Sequence, residues 1–184
     1  MREIETRVIN IDVDDIRHKL SSLKTVKVKE ENQINHIFDF NDRRLLKDKG
    51  YARIRVIEDM LKNETRYYMT TKKMISQEKY KLMEENETII KDGDEGINIF
   101  KSLGLELVES IKKYRESYKY KNTLVEIDIN DKSFCPFPYI EVESPSEEEL
   151  LEVLNHVGYT LEETTSKTIY EIIGDYNNSN LKGL

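Results

Sequence analysis

The stretch Met1-Arg-Glu-Ile-Glu-Thr-Arg-Val-Ile9 alternates charged and uncharged residues. A period of two in a run of β-prone residues predicts a strand with one charged face and one apolar face. Glu3, Glu5 and Arg7 share the charged face, spaced about 6 to 7 Å apart at the rise of a strand. Two carboxylates followed by a guanidinium could bind a metal ion and an anion side by side, so this face is the first candidate for a functional site.

Several later segments repeat the pattern with residues of like charge on one strand face. In chain order these residues are Arg53 and Arg55, Lys72, Lys113 and Arg115, Glu126 and Asp128, and Glu141 and Glu143. Strand faces that meet water more often mix the two signs, which allows ion pairs between neighbouring strands. Separate acidic and basic strands therefore predict a site with an acidic side and a basic side.

Composition limits the class of protein. The chain has 184 residues, 35% of them charged, and a formal net charge of -7. This length suits one domain, and the negative charge argues against a large basic surface for duplex nucleic acid. Because no apolar run has the length of a membrane span or of a signal peptide, we expect a cytoplasmic protein without a membrane partner. With Cys135 as the single cysteine, any metal should be bound by oxygen ligands.

Helices are predicted between the strands from their end signals. Asp12 is placed to cap the first helix, and Ser146 with Glu149 forms a capping box for a later one. The residues expected to end helices are Gly104, Gly158 and Gly174. These helices are short and apolar on one face, so they should pack on a sheet.

The C-terminal part is predicted to contain one more helix. It should run from about Ser166 to Ile173 and end at Gly174. We expect a single domain over residues 1–176 and a flexible tail over residues 177–184.

Seven or eight strands, mostly joined as hairpins, with three or four short helices predict an α+β fold on an antiparallel sheet. The residues leave open whether the sheet is open or closed. In an open sheet the charged faces would meet water. In a closed barrel they would line a lumen, and the cost of burying so many charges requires that the lumen contain water, metal and a charged ligand.

The motif Glu3-x-Glu5-x-Arg7 resembles the E-x-E-x-K signature of the CYTH or triphosphate tunnel metalloenzyme superfamily. Similar motifs follow in the family's order: Arg53-Ile-Arg55, Lys72, Lys113-Tyr-Arg115, Glu126-Ile-Asp128, Glu141-Val-Glu143 and Lys167. The resemblance implies an eight-stranded antiparallel closed barrel with short helices outside, a triphosphate or an organic triphosphate along the tunnel, and Mg²⁺ or Mn²⁺ on its acidic side. One departure is Arg7, because arginine keeps the positive charge of the signature lysine but cannot donate a proton near neutral pH.

The resemblance also implies roles for individual residues. The predicted metal ligands are Glu3, Glu5, Asp128, Glu141 and Glu143. The predicted substrate-binding residues are Arg7, Arg53, Arg55, Lys72, Lys113, Arg115 and Lys167. The predicted catalytic residues are Glu3, Glu5, Lys72 and Arg115. The roles of Glu85, Glu87 and Glu126 stay open.

A metal-dependent triphosphatase, acting by water attack on a terminal phosphoryl group, is the leading functional hypothesis. One alternative is a class IV-type adenylyl cyclase that converts ATP to cyclic AMP and pyrophosphate in the same tunnel. A second is a polyphosphate-binding protein without catalytic activity. Hydrolysis demands less of the protein than cyclisation does, and an anion binder has no need for five or six carboxylates in its site.

Overall fold

The structure, a computed structural model, describes residues 2–78 and 80–181. Within these ranges it describes the backbone but not the side chains of residues 2, 3, 81 and 179–181. The metal-binding and catalytic roles predicted for Glu3 therefore lie outside the described residues.

Eight antiparallel strands form a closed barrel in the order β1-β5-β4-β3-β2-β6-β7-β8. The strands are β1 Arg2–Ile9, β2 Val26–Asp39, β3 Tyr51–Asp59, β4 Glu64–Gln77, β5 Lys81–Ile90, β6 Glu106–Tyr120, β7 Thr123–Asn130 and β8 Tyr139–Ser144. The barrel closes because β1 pairs with both β5 and β8. This confirms the predicted α+β fold and decides between the open and the closed sheet.

Short helices cover the outside of the barrel. They are α1 Val13–Ser22, α2 Arg44–Lys47, α3 Gly93–Ser102, α4 Glu147–His156 and α5 Ile169–Leu181, with a 3₁₀ turn at Leu161–Glu163. Within residues 2–78 and 80–181, none of the helices has both the length and the apolar composition that crossing a bilayer requires.

The apolar faces of the strands point outward, beneath the helices. Val125 and Ile127 of β7 are fully buried in one cluster with Ile16 of α1 and Leu150 of α4. Burial of each such side chain stabilises the fold by about 1.5 to 3 kcal/mol. Because side chains alternate along a strand, packing the apolar face outward directs the charged face into the lumen.

The predicted helix caps are confirmed in part. The carboxylate of Asp12 accepts hydrogen bonds from two backbone N–H groups of the first turn of α1, at 3.0 and 3.1 Å. The hydroxyl of Ser146 accepts from the backbone N–H of Glu149 at 3.3 Å. The carboxylate of Glu149, however, accepts from the backbone N–H of Asn122 at 3.2 Å, so it joins α4 to the β6–β7 turn instead of completing a capping box.

The last helix differs from its prediction, because α5 continues through Gly174 to Leu181. A glycine within a helix costs only about 1 kcal/mol relative to alanine, so packing on both sides can outweigh it. Ile172 is buried against Phe137 and Tyr139 before the glycine, and Tyr176 makes an edge contact with Phe137 after it. The segment predicted as a tail is therefore helical as far as Leu181.

A buried carboxylate outside the lumen attaches α1 to the barrel. Glu116 of β6 accepts hydrogen bonds from Arg17 of α1 at 2.8 Å and from the hydroxyls of Tyr114 and Tyr118, each at 2.8 Å. Burial alone would raise the pKa of Glu116, but these donors lower it from 4.5 to about 2.

Replacing this residue, Glu116→Gln, should reduce stability at neutral pH by about 1.5 to 3 kcal/mol, the range for hydrogen bonds to a charged group. Because the pKa is lower in the folded state, the contribution is fully present above pH 4.5 and is lost as the pH falls toward 2. Urea unfolding at pH 7 and pH 3 should therefore show a difference that shrinks in acid. Glu106→Gln, on the exposed face of the same strand, is the control, and an equal difference at both pH values would contradict the prediction.

Candidate functional site

The barrel encloses an open lumen of about 370 Å³. The predicted site residues that line it are Arg7, Arg53, Arg55, Lys72, Lys113, Arg115, Glu141 and Glu143. Two further predicted residues, Glu5 and Asp128, are buried and in contact with these. The structure thus brings together residues from six strands, β1, β3, β4, β6, β7 and β8.

Strand register places opposite charges next to each other across the lumen surface. Arg7 of β1 is paired with Glu141 of β8. Arg115 of β6 is likewise paired with Asp128 of β7. Residues directly opposite on antiparallel strands have side chains within reach of one another. The acidic and basic residues of neighbouring strands therefore form ion pairs.

Three carboxylates form an acidic group on one side of the lumen, made of Glu5, Glu141 and Glu143. One oxygen from each lies within 4.8 Å of the others. Burial, together with nearby Glu126 and Glu141, raises the pKa of Glu143 to about 7. Carboxylate oxygens are the ligands that Mg²⁺ and Mn²⁺ prefer. These three closely spaced carboxylates are therefore suited to bind a divalent ion.

The guanidinium of Arg7 lies against the acidic group. Its Nη2 donates to Glu141 and is 3.8 Å from Glu5, while its Nη1 donates to the backbone carbonyl of Lys167 at 2.9 Å. Burial by itself would lower the pKa of Arg7, but the charge of Glu141 raises it. A planar fork can serve these separate acceptors at once, which a lysine ammonium does less well.

Asp128 is a counter-ion for the cations on the basic side of the lumen. Its two oxygens accept from Nε and Nη2 of Arg115, each at 2.6 Å, and one of them also accepts from Lys113 at 2.9 Å. Burial alone would raise the pKa of Asp128, but Arg115 and Lys113 lower it. The structure does not bring Asp128 into the acidic group, so its role as a metal ligand stays a prediction that this geometry does not support.

The basic side carries more positive charge than its neighbours neutralise. Burial, with Arg53 and Arg115 nearby, lowers the pKa of Arg55 from its ordinary value to about 10. Burial and the charge of Arg115 lower the pKa of Lys113 from 10.5 to about 8, although Asp128 acts in the opposite direction. Crowded buried cations of this kind favour binding of a polyanion, which would return both pKa values toward normal.

Two glutamates whose role the sequence left open also face the lumen. Glu85 is 3.1 Å from Lys72, and Glu87 accepts from the hydroxyl of Thr70 at 2.7 Å. Both also lie within 3.4 Å of Arg53. The β4–β5 register places Glu85 opposite Lys72 and Glu87 opposite Thr70, which gives both glutamates the direction that the sequence left undecided.

Glu126, the third residue left open, is fully buried in the lumen surface. One of its oxygens forms an ion pair with Nη1 of Arg115, and the other is 3.7 Å from Nζ of Lys29. It therefore acts as a second counter-ion of Arg115. Lys29, a lumen residue that the sequence analysis missed, lies in a less regular part of β2 where the register with β6 shifts.

Lys167 does not reach the lumen. Its side chain is exposed, and Nζ is 2.6 Å from Asp175 on the outer face of α5. Only its backbone carbonyl contacts a site residue, Arg7. The structure thus separates Lys167 from the other predicted substrate-binding residues.

Aromatic lumen residues were also missed, because a tyrosine in a strand carries no signal that distinguishes packing from binding. The aromatic side chains that line the lumen are Tyr51, Phe134, Tyr139 and Tyr170. Tyr170 of α5 donates its hydroxyl to Glu109 at 2.5 Å, which fixes the start of α5 over one end of the barrel.

Comparisons with known proteins agree with this architecture. Residues 1–169 match the family model of the CYTH domain. No curated protein matches the sequence.

Solved structures share the fold across most of the chain. The PH1012 protein of Pyrococcus horikoshii OT3 is 23% identical, with a TM-score of 0.75, 92% of this chain covered and 98% of that chain. A Vibrio parahaemolyticus protein proposed to be an adenylate cyclase is 14% identical, with a TM-score of 0.74 and coverages of 94% and 97%. HpAC1 of Hippeastrum, proposed as an adenylyl cyclase and described as having a dominant triphosphatase activity, is 18% identical, with a TM-score of 0.64 and coverages of 83% and 84%. At these identities the likeness shows a common fold.

Proposed function

Because the chain belongs to the CYTH domain family, we propose that it is a divalent-metal-dependent triphosphatase that cleaves a terminal phosphoryl group by water attack. The observation that carries this proposal is the division of one lumen into an acidic group and a basic side. Phosphoryl transfer asks a protein mainly for positioning and for neutralisation of charge, and these two sides supply both.

The basic side would bind the phosphates. The lumen cations available to them are Lys29, Arg53, Arg55, Lys113 and Arg115, with Arg7 and Lys72 nearer the acidic group. Arginine forks make bidentate contacts with phosphate oxygens. Because Asp128 and Glu126 fix the orientation of Arg115, this guanidinium would meet the substrate with little loss of conformational freedom.

The acidic group would bind the metal ion. Glu5, Glu141 and Glu143 supply hard oxygen ligands, and the ion would neutralise phosphate charge and favour ionisation of the attacking water. Arg7 and Lys72 line the lumen beside the acidic group and are able to neutralise either carboxylate or phosphate. This leaves both cations available to the leaving phosphate as charge develops on it.

A triphosphatase accounts for the lumen better than the two alternatives. A polyphosphate binder without activity would gain nothing from three carboxylates gathered beside its cations. Cyclisation of ATP would need, in addition, a group that positions the ribose hydroxyl. The fold is compatible with hydrolysis, since HpAC1 of Hippeastrum carries a dominant triphosphatase activity on it.

Product analysis tests this function. Purified protein with Mg²⁺ or Mn²⁺ should release phosphate and pyrophosphate from inorganic triphosphate, and an excess of EDTA should stop the reaction. ATP should be offered in parallel. Cyclic AMP with pyrophosphate from ATP would establish the cyclase instead, and tight binding of triphosphate without any product would establish the polyphosphate binder.

A matched pair of variants tests whether the acidic group binds the metal. Glu143→Gln should raise the metal concentration needed for half-maximal activity by about tenfold or more, since a ligand is lost. Glu84→Gln, on the exposed face of β5, should leave that concentration unchanged. Equal metal dependence in both variants would place the ion elsewhere.

A further inference from the structure

A second cavity, here called the side chamber, adjoins the lumen where α5 begins. It has a volume of about 410 Å³, within the range of small-molecule pockets. It shares with the lumen Arg7, Tyr51, Lys72, Ile169 and Tyr170. The two spaces are therefore continuous at the cations nearest the acidic group.

The side chamber differs from the lumen in chemistry. Leu46 of α2, Met83 of β5 and Ile169 of α5 give it an apolar lining. The hydroxyl of Tyr170 is engaged by Glu109, and that of Thr168 by Glu171. Inorganic triphosphate would gain nothing from the apolar side chains, because its oxygens need cations and hydrogen-bond donors. An organic group attached to a triphosphate would gain from burial against it.

The charged residues around the side chamber limit which organic groups it would bind. The titratable residues around the side chamber, apart from its tyrosines, are Arg7, Lys47, Lys49, Lys72 and Glu171. The one carboxylate among them, Glu171, is 2.8 Å from Lys49. Arg7 and Lys72 already pair with the lumen carboxylates Glu141 and Glu85. The remaining charges, Lys47 and Lys49 against Glu171, are net positive, which disfavours a cationic ring and accepts a neutral one.

We infer that the side chamber binds the uncharged heteroaromatic group of a substituted triphosphate while the phosphates extend into the lumen, so that nucleoside triphosphates are preferred over inorganic triphosphate as substrates. This rests on the proposed function and specifies its substrate. The continuity at Arg7 and Lys72 supports it, because a chain of phosphates attached to the bound group would meet these cations first.

Leu46→Trp tests the inference. Leu46 is half-buried on the four-residue helix α2, outside the barrel, so an indole there should fill the side chamber. The cations of the basic side, such as Arg53, Arg55 and Arg115, do not line this chamber and should be left free to bind phosphate. We expect kcat/KM for ATP to fall by about tenfold or more, and that for inorganic triphosphate to stay within about twofold. Leu61→Trp is the control, because Leu61 is exposed in the β3–β4 turn, at the other end of β3.

Equal losses for both substrates, or no loss for either, would overturn the inference. Calorimetric titration with ATP and inorganic triphosphate separates it from the proposed function. If the wild type hydrolyses neither, selective loss of ATP affinity in Leu46→Trp would still support the side chamber. Thiamine triphosphate, whose ring is cationic, should bind the wild type more weakly than ATP, and tighter binding would also overturn the inference.

Discussion

Asp128→Asn should reduce the free energy of unfolding by about 3 to 5 kcal/mol, with the same loss in the presence of EDTA. Asp128 is fully buried and accepts from Arg115 and Lys113, so the amide would leave two buried cations without their shared counter-ion. Breaking one side of a buried ion pair costs much more than the pair contributes, because the remaining charge keeps its desolvation penalty. For a chain of this length the loss corresponds to a decrease in Tm of about 10 °C.

Urea unfolding in EDTA measures this effect directly. Asp48→Asn, an exposed position after α2, should be neutral and serves as the control. Added triphosphate should stabilise the variant, since phosphate charge can replace the missing carboxylate. A variant as stable as the wild type in EDTA, and less stable only with Mg²⁺, would instead make Asp128 a metal ligand.

Lys72→Met should lower kcat/KM for the triphosphate substrate by about 10² to 10³, the usual cost of removing one charged group that stabilises the transition state. Lys72 is in the lumen, 3.1 Å from Glu85 and 3.5 Å from Glu5. Burial alone would lower the pKa of Lys72, but Tyr51 and the lumen carboxylates raise it, so the charge is present at neutral pH. Methionine keeps most of the volume and removes the charge.

Lys73→Met provides the matched control, because Lys73 is the next residue on β4 and its side chain is exposed on the outer face. Its activity should stay close to that of the wild type. Thermal unfolding of both variants would show whether a loss of activity reflects folding. Equal activity in the two variants would contradict the predicted catalytic role of Lys72.

Much of this lumen could be predicted from the sequence because strand periodicity fixes which side chains share a face. The period of two along a strand was enough to predict that Arg53 shares a face with Arg55, and Lys113 with Arg115. Periodicity did not predict that the barrel closes, because closure depends on β1 pairing with two strands at once. Closure was predicted from the family resemblance, which rests on the order of the motifs along the chain.

Other parts of the site depend on geometry that periodicity does not contain. The preference of Asp128 for Arg115 over the acidic group is set by register between β6 and β7. The separation of Lys167 from the lumen is set by how α5 packs, with the helix continuing beyond Gly174. The side chamber likewise arises where α2 and α5 approach the barrel, and neither helix carries a motif for it.

The acidic group is built across the seam of the barrel, with Glu5 from the first strand and Glu141 and Glu143 from the last. During synthesis this seam cannot close until β8 has left the ribosome, so the pairing of β1 with β8 is among the slow, non-local steps of folding. The proposed metal site would therefore be completed late, together with the barrel itself.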